Sequence, residues 1–259
     1  MIVKAGHLPY PGSRTERRPL GEGEGKSRPV MASKLWFLKR CDLFETLTAE
    51  EAGRLELRAV MRRFGKGEMV YFPGEPGRSV LVLASGRVKI KGLTPDGKEL
   101  ILAFIDEGEV FGELALVDDS PRDEFAEAVE ASEVLAIPSE DLSALMETRP
   151  DLAIGVTKLL GLRRRRIETR LRNIMFRSNR QRVVAVLLEL LGSHGEPLEE
   201  AWRIRLRLSH QELASLIGST RETVTLVLGQ LQIEGCIRVK RRCITVLDRQ
   251  RLIAESNAV

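Results

Sequence analysis

Cysteine and histidine are scarce in this chain of 259 residues, with three of each. Cys41, Cys236 and Cys243 and His7, His194 and His210 do not fall at the spacings of a zinc or iron–sulfur site, so neither a metal nor a cofactor is expected. Cys236 and Cys243 read as two buried thiols rather than a disulfide, as a reducing compartment favours. Long apolar runs are also missing. None approaches the roughly 20 residues that cross a bilayer, and the N-terminus lacks the charged-then-apolar pattern of a secretory signal, so the expectation is a cytoplasmic protein with no membrane partner. There is no phosphate loop of the Gly-x-x-x-x-Gly-Lys kind, no nucleophile placed with a base, and no paired carboxylates in a cleft motif. The sequence therefore argues against an enzyme.

Acidic and basic side chains are plentiful but separated along the chain. Residues 34–149 hold 15 basic and 23 acidic side chains, a net charge of −8, whereas the last 110 residues carry +9. Basic side chains displace condensed counterions from phosphates, so a basic C-terminal half below an acidic N-terminal domain suits a duplex partner at one end. An apolar content of 43% over this length supports two modest domains, each with its own core.

Residues 1–33, with Gly-Glu-Gly-Glu-Gly25 and several prolines, cannot bury enough surface to offset the entropy of ordering and are expected as a disordered tail. Met31 directly precedes the first stretch with helical apolar spacing, so a mis-assigned start is the other reading. From Met61 to Pro138, short β-rich runs alternate with turn signals, among them Pro73-Gly-Glu-Pro-Gly77, Ser85-Gly86 and Pro95-Asp-Gly97. Val80–Lys91, Glu99–Ile105 and Ala126–Ile137 are the clearest strands. Residues 34–149 thus read as an antiparallel β-roll.

After Pro150 the period changes. Val156, Leu160, Arg163, Ile167, Leu171 and Ile174 recur at steps of four and three, the seam of a helix that pairs with a copy of itself, so residues 150–176 read as a dimerisation helix. Arg163 falls on that seam and needs an anionic partner there or on the β domain. Arg177–Arg180 reads as a hinge, followed by a helix over Gln181–Leu191 that ends near Gly192. In residues 177–259, Ile204, Leu206 and Leu208 alternate with Arg203, Arg205 and Arg207 as a short strand. Cys236–Val246 reads as two strands around a basic turn.

Between them, Ser209–Leu228 places Ala214, Gly218 and Val224 at helix-turn-helix spacing. Such a corner needs a small residue where the helices touch, a glycine at the turn and an apolar residue to close the core. Ser209 with Glu212 and Ser219 with Glu222 each fit a capping box. With the flanking strands, this predicts a winged helix that binds double-stranded DNA.

The order of a glycine-punctuated β-roll containing Phe111-Gly-Glu-Leu-Ala-Leu116, a long helix and Gly218-Ser-Thr-Arg-Glu-Thr-Val224 resembles the cAMP receptor protein and FNR superfamily of bacterial transcription regulators, over residues 34 to about 250. The resemblance implies an α+β fold with an N-terminal cyclic-nucleotide-binding-like β-roll, a long dimerisation helix and a C-terminal winged helix-turn-helix. It also implies a homodimer acting beside RNA polymerase. By the same resemblance the second helix, from Thr220 to about Gln232, enters the major groove, where Arg221 would offer its fork to a guanine and Glu222 would accept from a cytosine amine. Thr225 would face base edges, and Leu226 stands where the family often has a second arginine. Ser209, His210, Gln211, Ser219, Thr220, Thr223 and the wing residues Lys240, Arg241 and Arg242 would contact the DNA backbone.

In the family's nucleotide pockets a glycine opens backbone N–H groups to the phosphate, a glutamate holds the ribose and an arginine neutralises the anion. Phe111, Gly112, Glu113, Leu114 and Arg122 match that pattern here, but Asp123 and Glu124 follow Arg122. Two carboxylates would repel an anionic phosphodiester, which argues against a cAMP response. Two readings stay open. Asp123 or Glu124 could pair with Arg163 and hold the protein in its DNA-competent form. Alternatively, Arg122 and Arg163, helped by Glu168, could bind a small carboxylate effector such as 2-oxoglutarate, as one branch of the superfamily does. A function of a different class, a small-molecule-binding module whose C-terminal domain contacts a protein, would lack the steep salt dependence of duplex binding.

Overall fold

Turn residues interrupt the short apolar runs between residues 60 and 138 before an α-helix can form, and they become strands apart from Glu113–Leu116, which makes one 3-10 turn. This computed structural model describes residues 34, 38, 41–118 and 120–257. The expected tail over 1–33 and the alternative start at Met31 lie outside the described residues. Eight strands, β1 (Val60–Phe64), β2 (Met69–Tyr71), β3 (Ser79–Ser85), β4 (Val88–Leu93), β5 (Glu99–Ile105), β6 (Val110–Phe111), β7 (Phe125–Ala128) and β8 (Ser132–Pro138), form two antiparallel sheets. Their orders are β1-β8-β3-β6 and β2-β7-β4-β5.

Continuous burial along β3, from Val80 to Ala84, follows from cover on both faces. Leu81 and Leu83 meet Phe111, Ile105, Ala126 and Val134 between the sheets. Val80 and Val82 point the other way, onto a second cluster with Phe44, Leu55, Leu142 and Leu152. Helices α1 (Ala49–Arg58), α2 (Ser139–Thr148) and the start of α3 (Pro150–Phe176) supply that cover. Pro150 opens α3, where a missing N–H costs nothing.

Helix α3 runs for 27 residues, but its seam is not uniform. Val156 is buried within its own chain, Leu160 is half-buried, and Ile167, Leu171 and Ile174 are 57%, 55% and 37% exposed. One seam position, Val156, therefore differs from the sequence expectation and packs inward, because the first half of the helix lies against the roll; Arg163 takes the second of its two expected placements, facing the β-roll.

The C-terminal part contains α4 (Asn179–His194), β9 (Gly195–Pro197), β10 (Trp202–Ile204), α5 (His210–Ile217), α6 (Arg221–Ile233), β11 (Ile237–Lys240), β12 (Cys243–Val246) and α7 (Arg249–Asn257). Its sheet order is β11-β12-β10-β9. Helix α4 starts two residues earlier than its apolar pattern suggests, since Ser178 and Gln181 form a capping box. It also continues past Gly192 to His194. Helix α7, not anticipated from the sequence, puts Leu252 into the core. Both wing cysteines are free thiols, with Cys236 buried and Cys243 half-buried.

The β-roll and the winged helix share a core. Ile101 of β5 is 1% exposed and sits in the cluster formed by Val184, Leu187, Leu213, Val224 and Leu231. Around it, Asp106 Oδ2 lies 2.6 Å from His194 Nε2, and Arg87 Nε donates to Asp106 Oδ1 at 2.7 Å. Burial pushes the Asp106 carboxyl up, but the hydrogen bonds and charges of His194 and Arg87 prevail and hold it at about 2. Arg170 of α3 donates to the Ile101 and Leu102 carbonyls and pairs with Glu189 of α4 at 3.2 Å.

Candidate nucleic-acid interface and effector pocket

Helices α5 and α6 meet at the corner that Ala214, Gly218 and Val224 specify. Ala214 and Val224 are fully buried, and Gly218 takes φ +63°, a left-handed conformation that a side chain would strain, while its N–H donates to Ala214 O. Ser209 caps α5 as expected: it accepts from the Glu212 N–H at 3.1 Å, and Glu212 Oε2 accepts from the Ser209 N–H at 2.7 Å. The second cap is Thr220, not Ser219. Thr220 Oγ1 accepts from the Thr223 N–H at 3.3 Å, and Ser219 Oγ donates to Asn179 Oδ1 at 3.3 Å. Ser219 with Glu222 has the capping-box spacing, but Thr220, with Thr223 three residues on, is the hydroxyl that reaches the first turn.

The outer face of α6 is exposed at Arg221, Glu222, Thr225, Leu226 and Gln230. Among the described residues, the side chains of Arg221 and Glu222 make no hydrogen bond or ion pair, which leaves both forks open at the helix start. Thr225 is engaged. Its hydroxyl donates to Arg221 O at 2.8 Å and lies 2.7 Å from His210 Nδ1. Gln211 is exposed at the start of α5, beside His210.

The wing turn is a two-residue loop, since Lys240 pairs with Cys243 across it. Arg241 and Arg242 take φ +50° and +64°. Such turns match strand twist but favour glycine and asparagine, so two arginines there carry strain in exchange for displaying their charges. Arg180 fixes the winged helix internally, bonding Glu234 at 2.8 Å and 2.9 Å and bridging to Glu255 at 2.5 Å.

In the β-roll the candidate effector residues converge, except Leu114, Asp123 and Glu168, which are exposed. Gly112 has φ +66°, and a Cβ there would lie 2.7 Å from Arg122 Nη1. The glycine thus admits the arginine, which is 8% exposed. Arg122 donates to Gly112 O at 2.7 Å and to Ser79 O, and its guanidinium stacks 4.7 Å from the Tyr71 ring centre. Phe111 is buried beside Tyr71, while Leu114 is 46% exposed. Glu113, 5% exposed, is bridged by Arg163 of α3, which also donates to Val110 O.

That pairing corrects the sequence expectation, in which Asp123 or Glu124 met Arg163. Asp123 is exposed, and Glu124 instead accepts from the Tyr71 hydroxyl at 3.3 Å. Burial raises the Glu124 carboxyl, against the lowering by that hydrogen bond, and the nearby Glu113 adds to the rise. Glu168 also lies outside the pocket, where it is exposed and pairs with Arg164 one turn away at 2.7 Å. Tyr71, Ser79 and the Val110 carbonyl were not foreseen, because they reach the site through pairings across the sheets rather than through a local motif. Among the described residues no group of histidine, cysteine or carboxylate side chains is placed to hold a metal ion, and no helix is long and apolar enough to cross a membrane.

Comparison with known proteins matches residues 61–149 to the cyclic nucleotide-binding domain family and residues 181–255 to the Crp-like helix-turn-helix domain family. The chain is 36% identical over 203 residues to a cyclic AMP receptor protein of Thermus thermophilus, covering 78% of this chain and 90% of the relative. It is 35% identical over 189 residues to a global nitrogen regulator of Synechocystis, covering 72% and 84%. Among solved structures, a CRP/FNR family transcriptional regulator from Thermus thermophilus superposes with a TM-score of 0.61 at 32% identity, covering 77% of this chain and 99% of that one.

Proposed function

Because the chain belongs to the CRP/FNR family of transcription regulators, with a Crp-like helix-turn-helix DNA-binding domain, we propose that it acts as a homodimer competent for DNA without a small-molecule effector. The observation that carries the effector-independent reading is the Glu113–Arg163 pair. Both groups that would meet an anion are already used: Arg163 by Glu113 and the Val110 carbonyl, and Arg122 by two carbonyls and the Tyr71 ring. A bound ligand would have to break these contacts. With α3 locked to the roll through Arg163, activity follows protein abundance.

The homodimer rests on the lower half of α3, where Ile167, Leu171, Ile174, Met175 and Phe176 are exposed. Apolar side chains spaced by four and three residues along a helix need a second surface, and a copy of the same helix supplies one. Two copies of α6 would then address a two-fold symmetric site, with Arg221 and Glu222 reading bases and Ser209, Gln211, Thr223, Lys240, Arg241 and Arg242 contacting backbone. Bound at promoters in the cytoplasm, the dimer would present a surface to RNA polymerase.

Thermal denaturation with added effector candidates tests the pocket. A ligand that binds the folded state raises stability by RT ln(1 + [L]/Kd), about 2.7 kcal/mol at a hundredfold excess over Kd. The expected result is no change in Tm with millimolar 2-oxoglutarate or cAMP. A concentration-dependent rise with either would overturn the effector-independent reading.

A further inference from the structure

The strand expected over residues 203–208 is cut short, with β10 ending at Ile204, but the alternation persists: Ile204, Leu206 and Leu208 are buried at 1%, 3% and 3% exposure, and Arg203, Arg205 and Arg207 between them are exposed. Together with Lys240 and Arg241 they line a groove of about 360 Å³, to which Glu196 contributes a carboxylate. Glu196 stands directly across the ladder from Arg203, yet the two do not close an ion pair. Among the described residues none of these five basic side chains has a hydrogen-bond or ion-pair partner. Arg149 and Arg180, by contrast, are paired, with Glu51 and Glu234. Five like charges around one groove repel each other unless an anion enters.

The groove is also continuous with the proposed backbone contacts. Arg207 lies two residues before Ser209, the cap of α5, and Lys240 and Arg241 belong both to the groove and to the wing turn. We infer that this groove is a second track for the DNA phosphate backbone, extending the contact made by α5 and the wing tip onto Arg203, Arg205 and Arg207. Arg203, Arg205 and Arg207 succeed one another along the segment that leads from β10 to the cap of α5, and all three line the groove, a row that suits successive phosphates of one strand better than a single anion. A phosphate track adds affinity without sequence preference and steepens the salt dependence. The inference rests on the DNA-binding reading above.

The test compares the full chain with Arg203→Gln/Arg205→Gln and Arg203→Lys/Arg205→Lys variants on a duplex carrying its selected site and on a random duplex, from 50 to 200 mM salt. Four phosphate contacts per dimer at about 0.9 each predict that the slope of log K against log salt falls by about 3.6 in the glutamine variant, on both duplexes. Across that salt range the wild type then loses about 100-fold more affinity than the glutamine variant. The lysine variant keeps the wild-type slope, which a role in packing alone would not restore. Unchanged affinity and slope in the glutamine variant would overturn the track and hand the groove to an acidic protein partner. A loss with an unchanged slope would overturn it too. If the wild type selects no duplex at all, the DNA-binding reading fails and the track with it. If the wild type selects a site and the glutamine variant matches it, only the track fails.

Discussion

Replacing Arg163 by alanine strands the Glu113 carboxylate inside the β-roll. With the pair intact its side chain is 7% exposed and that of Arg163 is 24% exposed, so the carboxylate relies on the guanidinium rather than on bulk water. Val110 O loses its donor in the same step. Removing one partner of a buried pair costs about 3 to 5 kcal/mol. The partial exposure of Arg163 places this case near 3 kcal/mol, a fall in Tm of about 6 to 12 °C for a protein of this size. The double variant Glu113→Leu/Arg163→Met replaces both charges with apolar groups and should recover most of that loss. Thermal melts of wild type, Glu113→Leu, Arg163→Met and the double variant should give a coupling energy of about 2 kcal/mol, within the range for contacting residues. DNA affinity at fixed salt should fall in Arg163→Ala, because α3 is released from the roll. A melt of Arg163→Ala within about 1 °C of wild type, or a coupling near zero, would refute the claim that this pair substitutes for a ligand.

The remaining predictions follow from single contacts. Arg221→Ala should cost about 1 to 3 kcal/mol on the selected site and little on random duplex, in a competition titration; equal losses on both would remove its base-reading role. Changing the wing turn to Arg241→Asn/Arg242→Gly relieves two left-handed arginines and should raise stability by about 1 to 2 kcal/mol while weakening DNA binding on every duplex. A lower Tm in that variant would contradict the strain. Asp106 titrates at about 2 in the folded chain, below its ordinary value near 3.9. A depressed carboxyl gives its full stability above the unfolded value and loses it as pH falls toward the folded one. Asp106→Asn should therefore flatten the acid limb of the stability profile between about pH 4 and 2, and an unaltered limb would refute the Asp106 contacts as its source. Ile167→Asp/Leu171→Asp should convert a dimer to a monomer in sedimentation, and a persisting dimer would place the interface elsewhere.

Much of this architecture is legible wherever the determining residues are close in sequence. Ala214, Gly218 and Val224 fix a corner within eleven residues, and the wing turn is bracketed by its own strands. Periodicity failed at Val156, and left Arg163 between two placements, for a physical reason. A heptad pattern marks which face of α3 is covered, not what covers it, and the roll takes the upper half. The pocket was legible in membership at Gly112, Glu113 and Arg122 but not in pairing, since fifty residues separate Glu113 from Arg163. Nothing local singles out Asp106 with His194, or Ile101 in the core of the winged helix, because each meets its partners only after the roll and the C-terminal part dock.

Selection of binding sites from a random duplex pool, with purified protein at fixed salt and no added effector, addresses the central claim most directly. A dimer held ready by its own ion pair should enrich a two-fold symmetric site whose half-sites lie about one helical turn apart. Enrichment that appears only after 2-oxoglutarate or cAMP is added would contradict it.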